Sequence, residues 1–194
     1  MTTLLVLDGS RPNDEHVTRV GEVLSSVLAS MPISSKALRL SEMEIVACRG
    51  CFACWTRTPG ECVIEDAGRE VARAVTESDG VILLTPLVFG GPSSELKKAI
   101  DRLIPIISPL FRRVRGEVHH RARYASYPSL MGIGVRTSRL GTSKQDADLF
   151  QRLIARNAVN FLSPSHGAVV LDGDDDPTRM ESTLREVLAG MGVS

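Results

Sequence analysis

The sequence has no excess of charge of either sign. Lys and Arg total 23, and Asp and Glu also total 23, so no broad basic field would attract nucleic acid or an anionic membrane surface. No apolar run is long enough to span a bilayer, and residues 1–10 lack the basic start and long apolar stretch of a signal peptide. We therefore expect a cytoplasmic protein that acts on small molecules and binds neither nucleic acid nor membranes.

The chain also lacks internal repeats, linkers and low-complexity tracts. No G-x-G-x-x-G motif of the dinucleotide-binding type follows its first apolar segment. A length of 194 residues with 43% hydrophobic and 24% charged residues is typical of one compact domain with a full core. We predict a single domain over residues 1–194, with a cysteine-rich loop at residues 44–65.

Apolar segments alternate with helical patterns along the chain. Continuous apolar runs, typical of strands buried on both faces, predict strands at residues 3–7, 80–85, 130–135 and 167–171. The shorter alternating segment 35–40 predicts a strand near the sheet edge. Helical spacing predicts helices at about residues 17–28, 66–77, 93–111, 144–161 and 178–188. Asp66 is the predicted cap of the second helix, and Pro105 is expected to kink or divide the third.

Residues 112–127 are rich in Arg and His. We interpret this segment as a solvated connecting loop, with a cover over an anionic ligand as the alternative. His119 and His120 are adjacent, so they point in different directions on a helix or a strand, and no partner stands at metal-ligand spacing. We interpret both as surface residues.

Five strands joined by helices predict a doubly wound parallel sheet with helices on both faces. We choose the strand order 2-1-3-4-5, because the chain has five strands and lacks the dinucleotide motif. In such sheets ligands bind beyond the carboxyl ends of the strands. The prediction therefore places three loops at one site: residues 9–14, 86–93 and 135–141.

All four cysteines lie in one short window, at Cys48, Cys51, Cys54 and Cys62. In a reducing cytosol such spacing indicates metal ligation or redox chemistry rather than disulfides. The C-x2-C-x2-C run plus a fourth cysteine after a Pro-Gly turn favours a [4Fe–4S] cluster over zinc, while unmetallated thiols remain an open alternative. Aromatic residues beside the thiols, Phe52 and Trp55, either shield a cluster or anchor the loop.

Two segments resemble known families. T-P-L-V-F-G-G-P-S-S-E-L-K-K-A-I-D-R, Thr85 to Arg102, is similar to the second flavin loop of the NADPH-dependent FMN reductase and iron-sulfur flavoprotein families. C-R-G-C-F-A-C-W-T-R-T-P-G-E-C-V-I-E-D, Cys48 to Asp66, resembles the compact cysteine motif of the iron-sulfur flavoproteins. The resemblance implies a flavodoxin-like fold and an FMN-dependent oxidoreductase.

The resemblance also implies which residues bind FMN. The first loop would hold the phosphate, the second would lie along the isoalloxazine ring, and the third would close the pyrimidine side. The matching candidates are Ser10, Arg11 and Asn13 in the first loop, Pro86, Leu87, Val88, Phe89 and Gly90 in the second, and Arg136 in the third. In the third loop, Gly132 and Gly134 permit close approach, and Thr137 and Ser138 offer further donors.

Two positions depart from the family pattern. Asp14 and Glu15 stand where small polar residues are usual, and carboxylates in the first turn of a helix repel a bound phosphate dianion. Val88 stands where an aromatic residue is frequent, so stacking there would be lost. Both departures are expected to weaken the binding of FMN.

The leading hypothesis is an electron-transfer flavoprotein in which FMN exchanges two electrons with a small-molecule or protein partner and single electrons with the cluster. By resemblance, that transfer crosses a subunit contact, which implies a homodimer or homotetramer. The chemistry belongs to the cofactors, so no catalytic acid or base is nominated. One alternative is an NAD(P)H-dependent FMN or quinone reductase without a cluster, in which Arg136 or Arg139 meets the nucleotide phosphates. Another is a flavodoxin-fold binding protein without a cofactor.

Overall fold

The computed structural model describes residues 1–114, 116–137 and 143–190. Its strands are β1 (Thr3–Asp8), β2 (Ser34–Arg39), β3 (Gly80–Pro86), β4 (Ile107–Val114), β5 (Glu117–Ala122), β6 (Ser129–Arg136) and β7 (His166–Asp172). Five of them form one parallel sheet in the order β2-β1-β3-β6-β7. Strands β4 and β5 pair separately as an antiparallel hairpin. With the hairpin set aside, the order is the predicted 2-1-3-4-5.

Helices cover both faces of the sheet. They are α1 (Glu15–Ala29), α2 (Ala53–Thr56), α3 (Ala67–Thr76), α4 (Ser94–Asp101), α5 (Lys144–Asn160) and α6 (Pro177–Gly190). Apolar side chains of α1 and α6 form a core on one face, and those of α3, α4 and α5 form a second core on the other. Within the described ranges no helix is both long and apolar enough to cross a membrane.

The strands follow from the apolar runs of the sequence. All seven residues of β3 are buried, as expected for the central strand of a sheet covered on both faces. In β2, by contrast, only Leu38 is buried, and the strand pairs with β1 alone at the sheet edge. Its predicted edge position is confirmed.

The predicted helix over residues 93–111 is confirmed in its first part and is wrong beyond Asp101, and the expected break near Pro105 is present. Helix α4 ends at Asp101, and the chain then forms a short 3-10 turn at Ile104–Ile106 before β4 begins. Pro105 has no amide hydrogen and cannot continue an α-helix, so the apolar residues after it enter a strand instead. The C-terminal part of the predicted helix therefore belongs to the hairpin.

The predicted loop over residues 112–127 is wrong for most of its length. Strands β4 and β5 occupy much of it and are joined through Gly116, whose φ is +86°. The two histidines are not surface residues: His119 is 6% exposed, with its Nε2 2.9 Å from Glu117 Oε2. His120 packs its ring between Trp55 and Phe111. Alternation along the strand places the two histidines on opposite faces of β5. His119 is buried, and the rings of Trp55 and Phe111 pack against His120.

Candidate functional site

The carboxyl ends of β1, β3 and β6 open into one cavity of about 480 Å³. That volume lies within the range of small-molecule sites, roughly 300–1,000 Å³. All three predicted loops contribute to its wall, which is lined by Arg11, Pro12, Asn13, Asp14, Glu15, His16, Pro86, Val88, Ser93, Ser94 and Thr137. The fold therefore brings the loops together as the sequence predicts.

The first loop connects β1 to α1 and packs tightly against the start of α4. A Cβ added at Gly9 would lie 2.7 Å from Leu96 Cβ, so only glycine fits this close approach. Ser10 is 4% exposed, and its amide donates to Asp8 Oδ1 at 2.9 Å. Arg11 donates through Nη2 to Ser94 Oγ at 2.6 Å, which ties the first loop to the first residue of α4. Arg11 lines the cavity, whereas Ser10 is buried behind it.

The start of α1 contributes both donors and carboxylates to the cavity. Asn13 adopts the left-handed conformation, with φ at +69°. Asp14 is the N-cap residue of α1 and Glu15 its first residue, and both line the cavity. The acidic pair therefore lies in the wall of the cavity, where its charge acts on any bound anion.

The second loop is a tight turn that projects one aromatic side chain. The amides and carbonyls of Val88 and Gly91 pair with each other at 2.9 and 2.8 Å. Between them, Phe89 has φ at +47° and is 89% exposed, and Gly90 has φ at +74°. Leu87 is fully buried in the core, whereas Pro86, Val88 and Ser93 of this loop line the cavity.

The third loop is described as far as Thr137. Thr137 is 8% exposed and lines the cavity. Arg136 ends β6, and its Nε is buried with no hydrogen-bond partner among the described residues. Ser138 and Arg139 lie outside the described residues. Gly132 and Gly134 do not serve the cavity, because added Cβ atoms would meet Ile154 and Phe150 of α5.

Sequence reasoning missed two residues of the cavity wall, His16 and Ser94, and did not single out Ser93, which lies in the predicted second loop. Ser93 caps α4, accepting from the Leu96 amide at 3.2 Å and donating to the Gly9 carbonyl at 2.6 Å. An N-cap serine after a turn is recognisable in the sequence. The position of His16 is not recognisable in the sequence. Its partner is Asp174, far along the chain, whose Oδ1 lies 3.4 Å from His16 Nδ1.

The four cysteines line a second cavity, of about 270 Å³. Its other lining residues are Arg49, Gly50, Phe52, Ile64, Asp101 and Ile104. Cys54, on α2, is buried and Cys62 is half-buried, whereas Cys48 and Cys51 are exposed. Left-handed conformations at Gly50 and Phe52, with φ at +63° and +55°, bend the chain on either side of Cys51.

The thiols are close enough to influence one another. Burial raises the pKa of the Cys54 thiol, and the neighbouring sulfurs of Cys62, Cys48 and Cys51 raise it further. A positively charged ion or cluster would reverse this effect, since it stabilises thiolates. Among the described residues, however, no three His, Cys, Asp or Glu side chains are grouped so as to hold a metal ion.

Trp55 joins the cysteine loop to the hairpin. Its indole Nε1 donates to the carbonyls of Ile104 and Ile107 at 3.2 and 3.1 Å. Phe52 stacks on the indole ring with centroids 5.2 Å apart, and His120 packs against it at 5.1 Å. Trp55 therefore anchors the cysteine loop in this structure.

The two cavities lie at opposite ends of α4. Ser93 and Ser94 at its start line the first, and Asp101 and Ile104 at and beyond its end line the second. Eight helical residues span about 12 Å.

A parallel sheet in this order, with a cavity at the carboxyl ends of its first, third and fourth strands in chain order, defines a flavodoxin-like α/β protein. The family model described as NADPH-dependent FMN reductase matches residues 2–175. The chain belongs to this family of oxidoreductases, as the sequence predicts.

Curated relatives match part of the chain. An iron-sulfur flavoprotein of Methanocaldococcus jannaschii is 32% identical over 106 residues, covering 55% of this chain and 53% of the relative. An iron-sulfur flavoprotein of Archaeoglobus fulgidus is 30% identical over 99 residues, covering 51% of this chain and 47% of the relative. The matches thus span about half the length of these relatives.

Solved structures match the whole fold at low identity. The NAD(P)H:quinone oxidoreductase from Methanothermobacter marburgensis superposes with a TM-score of 0.70 at 13% identity, covering 100% of this chain and 99% of that one. An FMN-dependent NADH-azoreductase from Bacillus anthracis, in complex with FMN, gives a TM-score of 0.63 at 13% identity, with coverages of 99% and 98%. These likenesses establish the flavodoxin-like fold.

Proposed function

We propose that this protein is an FMN-dependent oxidoreductase that transfers electrons between a small-molecule or protein donor and an acceptor. The observation that carries the proposal is the cavity of about 480 Å³ into which the three loops converge. In a member of the FMN reductase family, this cavity is the natural flavin site. Bound FMN would supply both hydride and single-electron chemistry.

The residues of the cavity suit the parts of FMN. The amides at the start of α1, with Arg11 and Asn13 beside them, form a site for the phosphate. Pro86 and Val88 present an apolar surface to the flat ring, and Phe89 extends from the same turn to cover its edge. Thr137, which lines the cavity, supplies a donor to the pyrimidine side, and Arg136, beside it at the end of β6 but outside the cavity wall, is proposed as a second donor. These residues bind, orient and exclude water, so no general acid or base is assigned.

We propose further that Cys48, Cys51, Cys54 and Cys62 hold a [4Fe–4S] cluster. All four thiols line one cavity, and three cysteines at C-x2-C-x2-C spacing with a fourth after a Pro-Gly turn suit a cubane better than a single zinc ion. The names of the curated relatives support the same assignment. Free thiols at these positions also suit the reducing cytoplasm.

The separation of the two cavities along α4 bears on the route of electrons. The thiol site and the flavin site lie at opposite ends of α4, and the resemblance to iron-sulfur flavoproteins implies that electrons pass between them across a subunit contact. We therefore propose a homodimer or homotetramer as the working assembly. Sedimentation of the loaded protein tests this part, and a monomer would contradict it.

A cluster-free NAD(P)H-dependent FMN or quinone reductase is the second candidate. It is favoured by the exposure of Cys48 and Cys51 and by the absence, among the described residues, of a trio of side chains grouped to hold a metal ion. In this case the flavin would take a hydride from NAD(P)H, and the four thiols would only pack the loop.

The absorption spectrum of anaerobically purified protein, with iron, sulfide and zinc analysis of the same sample, distinguishes the candidates. Flavin bands with iron and sulfide support the cluster-bearing flavoprotein. Flavin alone supports the cluster-free reductase. Neither chromophore would contradict both and favour a binding protein without a redox cofactor.

Replacing one exposed cysteine tests the ligand assignment. Cys51→Ala should abolish iron binding and leave flavin bound, because the two cavities are separate. Thr56→Ala, in the same loop and outside the thiol set, is the matched control and should retain both. Unchanged iron in Cys51→Ala would contradict the cluster assignment.

A further inference from the structure

Arg102 is the most deeply buried cation of the described chain and stands outside both proposed binding sets. It is the C-cap residue of α4 and is 1% exposed. Burying a guanidinium is costly unless its hydrogen bonds and charge are satisfied. Its partners therefore indicate what the residue does.

The guanidinium binds both flanks of the cysteine loop. Nη1 and Nη2 donate to the two carboxylate oxygens of Asp66, each at 2.7 Å, which is a bidentate pair. Nη1 also donates to the carbonyl of Val46 at 2.7 Å, and Nη2 to the carbonyl of Ile64 at 3.3 Å. One side chain thus closes the loop on either side of its cysteines.

Asp66 completes this closure from the backbone. Its carboxylate accepts from the amide of Val46 at 2.8 Å and from the amide of Gly68 at 2.9 Å, and so caps α3. Gly68 leaves the space for the cation, since an added Cβ would lie 2.9 Å from Arg102 Cζ. The closure is therefore built from three chain segments around one ion pair.

The same cation lies beside the cysteine cavity. Ile64, whose carbonyl accepts from Nη2 of Arg102, lines that cavity together with Asp101, the neighbour of Arg102 in the chain. Burial alone would lower the pKa of Arg102, but its hydrogen bonds to Asp66 and its attraction to Asp66 and Cys62 raise it. Nε of Arg102 has no hydrogen-bond partner among the described residues, so all the hydrogen bonds of the guanidinium that the structure shows come from Nη1 and Nη2.

We propose that Arg102 is a positioning residue of the cysteine site, which fixes the two flanks of the loop and sets the reduction potential of the group that the cysteines bind. The second half of this statement rests on the proposed cluster. A positive charge beside a cluster stabilises its more negative, reduced form, so Arg102 should raise the reduction potential.

The test uses one variant that removes the pair and one that keeps the charge. Arg102→Met combined with Asp66→Asn removes both charges while the asparagine still caps α3. Arg102→Lys keeps a cation but loses the planar fork. Arg156→Met is the matched control, because Arg156 is an exposed arginine whose ion pair with Glu117 lies on the hairpin side. Far-UV circular dichroism confirms that each variant folds.

Hydrogen exchange of the iron-free protein tests the positioning role without any cluster. Amides of residues 44–66 should exchange roughly tenfold faster in the double variant and in Arg102→Lys, and at the wild-type rate in Arg156→Met. Unchanged exchange in the double variant would overturn the positioning role, whatever the wild-type protein binds.

An anaerobic redox titration followed by electron paramagnetic resonance tests the electrostatic role. The double variant should have a more negative midpoint potential than Asp66→Asn alone, because these two proteins differ only in the charge of Arg102. An unchanged potential overturns this role and leaves the proposed function intact. Wild-type protein that takes up no iron overturns the cluster proposal, and with it the electrostatic role, while the exchange result still decides the positioning role.

Discussion

Gly132, in the middle of β6, shows how closely α5 approaches the sheet. An added Cβ would lie 2.7 Å from Ile154 Cδ1 and 3.2 Å from Phe150 Cε1, both fully or nearly fully buried. The glycine therefore serves packing between helix and sheet rather than contact with a ligand. Its functional interpretation from the sequence failed because a glycine pattern alone does not reveal which neighbour approaches.

Gly132→Ala should destabilise the protein by about 1–3 kcal/mol, because the added methyl group overpacks a closed core. Urea unfolding measures the change as a lower midpoint. Gly190→Ala is the control: this helical position has open space around it, so the change should stay within about 0.5 kcal/mol. Equal midpoints for wild type and Gly132→Ala would contradict the packing role.

Asp66 should make stability depend on pH. Burial alone would raise the pKa of its carboxyl group, but hydrogen bonds from Arg102 and the Val46 amide, with the charge of Arg102, lower it. A lowered pKa in the folded state contributes stability above the unfolded value of about 3.9, and this stability is lost as the pH falls through the folded value.

Asp66→Asn should therefore cost about 3–5 kcal/mol at pH 7, since it leaves the Arg102 charge buried without its partner. The difference from wild type should shrink as the pH falls below about 4. Denaturant unfolding of the iron-free proteins across that range gives the comparison. A difference that stays constant with pH would show that the ion pair is not its source.

At the scale of elements, the first turn of α1 combines a phosphate site with two carboxylates. Asp14 and Glu15 both line the proposed flavin cavity. Carboxylates at a helix N-terminus oppose a bound anion by about 0.3–1 kcal/mol each. Their effect should appear only for ligands that carry the phosphate.

Asp14→Asn combined with Glu15→Gln should thus tighten FMN binding by roughly three- to thirtyfold and leave riboflavin binding unchanged. Fluorescence titration of both ligands provides the measurement and its internal control. Tighter binding of both ligands would indicate a general change in the cavity, and weaker FMN binding would place the phosphate elsewhere.

The elements differ in how well the sequence predicts them. Strand β3 was predictable because a strand buried on both faces must be continuously apolar. The hairpin was not, because β4 and β5 are largely exposed, with Leu110 and Val118 at 60% and 62% exposure, and their Arg and His residues mask the alternation. The spacing of Leu103 and Ile107 fits a continued helix as well as a strand. Only the packing of the residues after Pro105 decides between helix and strand.

At the scale of the whole molecule, one sheet separates two apolar cores. Trp55, the single tryptophan, packs against the core formed with α3, α4 and α5. Its fluorescence should therefore report global unfolding, and urea transitions followed by fluorescence and far-UV circular dichroism should coincide. An earlier fluorescence transition would mean that the cysteine loop unfolds before the sheet.

The candidate site was predictable where it depends on topology. Loops at the carboxyl ends of parallel strands must meet, so Arg11, Asn13, Pro86 and Val88 line the cavity as expected. The burial of Ser10 and Leu87 could not be read from the chain, because it depends on how tightly the loops close over the strand ends. The position of the thiols at the far end of α4 likewise depends on a buried ion pair formed over 36 residues of separation.

That separation has a consequence for biosynthesis. A nascent chain that has reached Asp66 carries all four cysteines, but the cation that closes their loop arrives 36 residues later, at the end of α4. Until then the thiols belong to an open segment. The cysteine loop is therefore closed only after β1, β2 and β3 have been synthesised, and a ribosome paused before Arg102 displays all four cysteines without the ion pair that closes their loop.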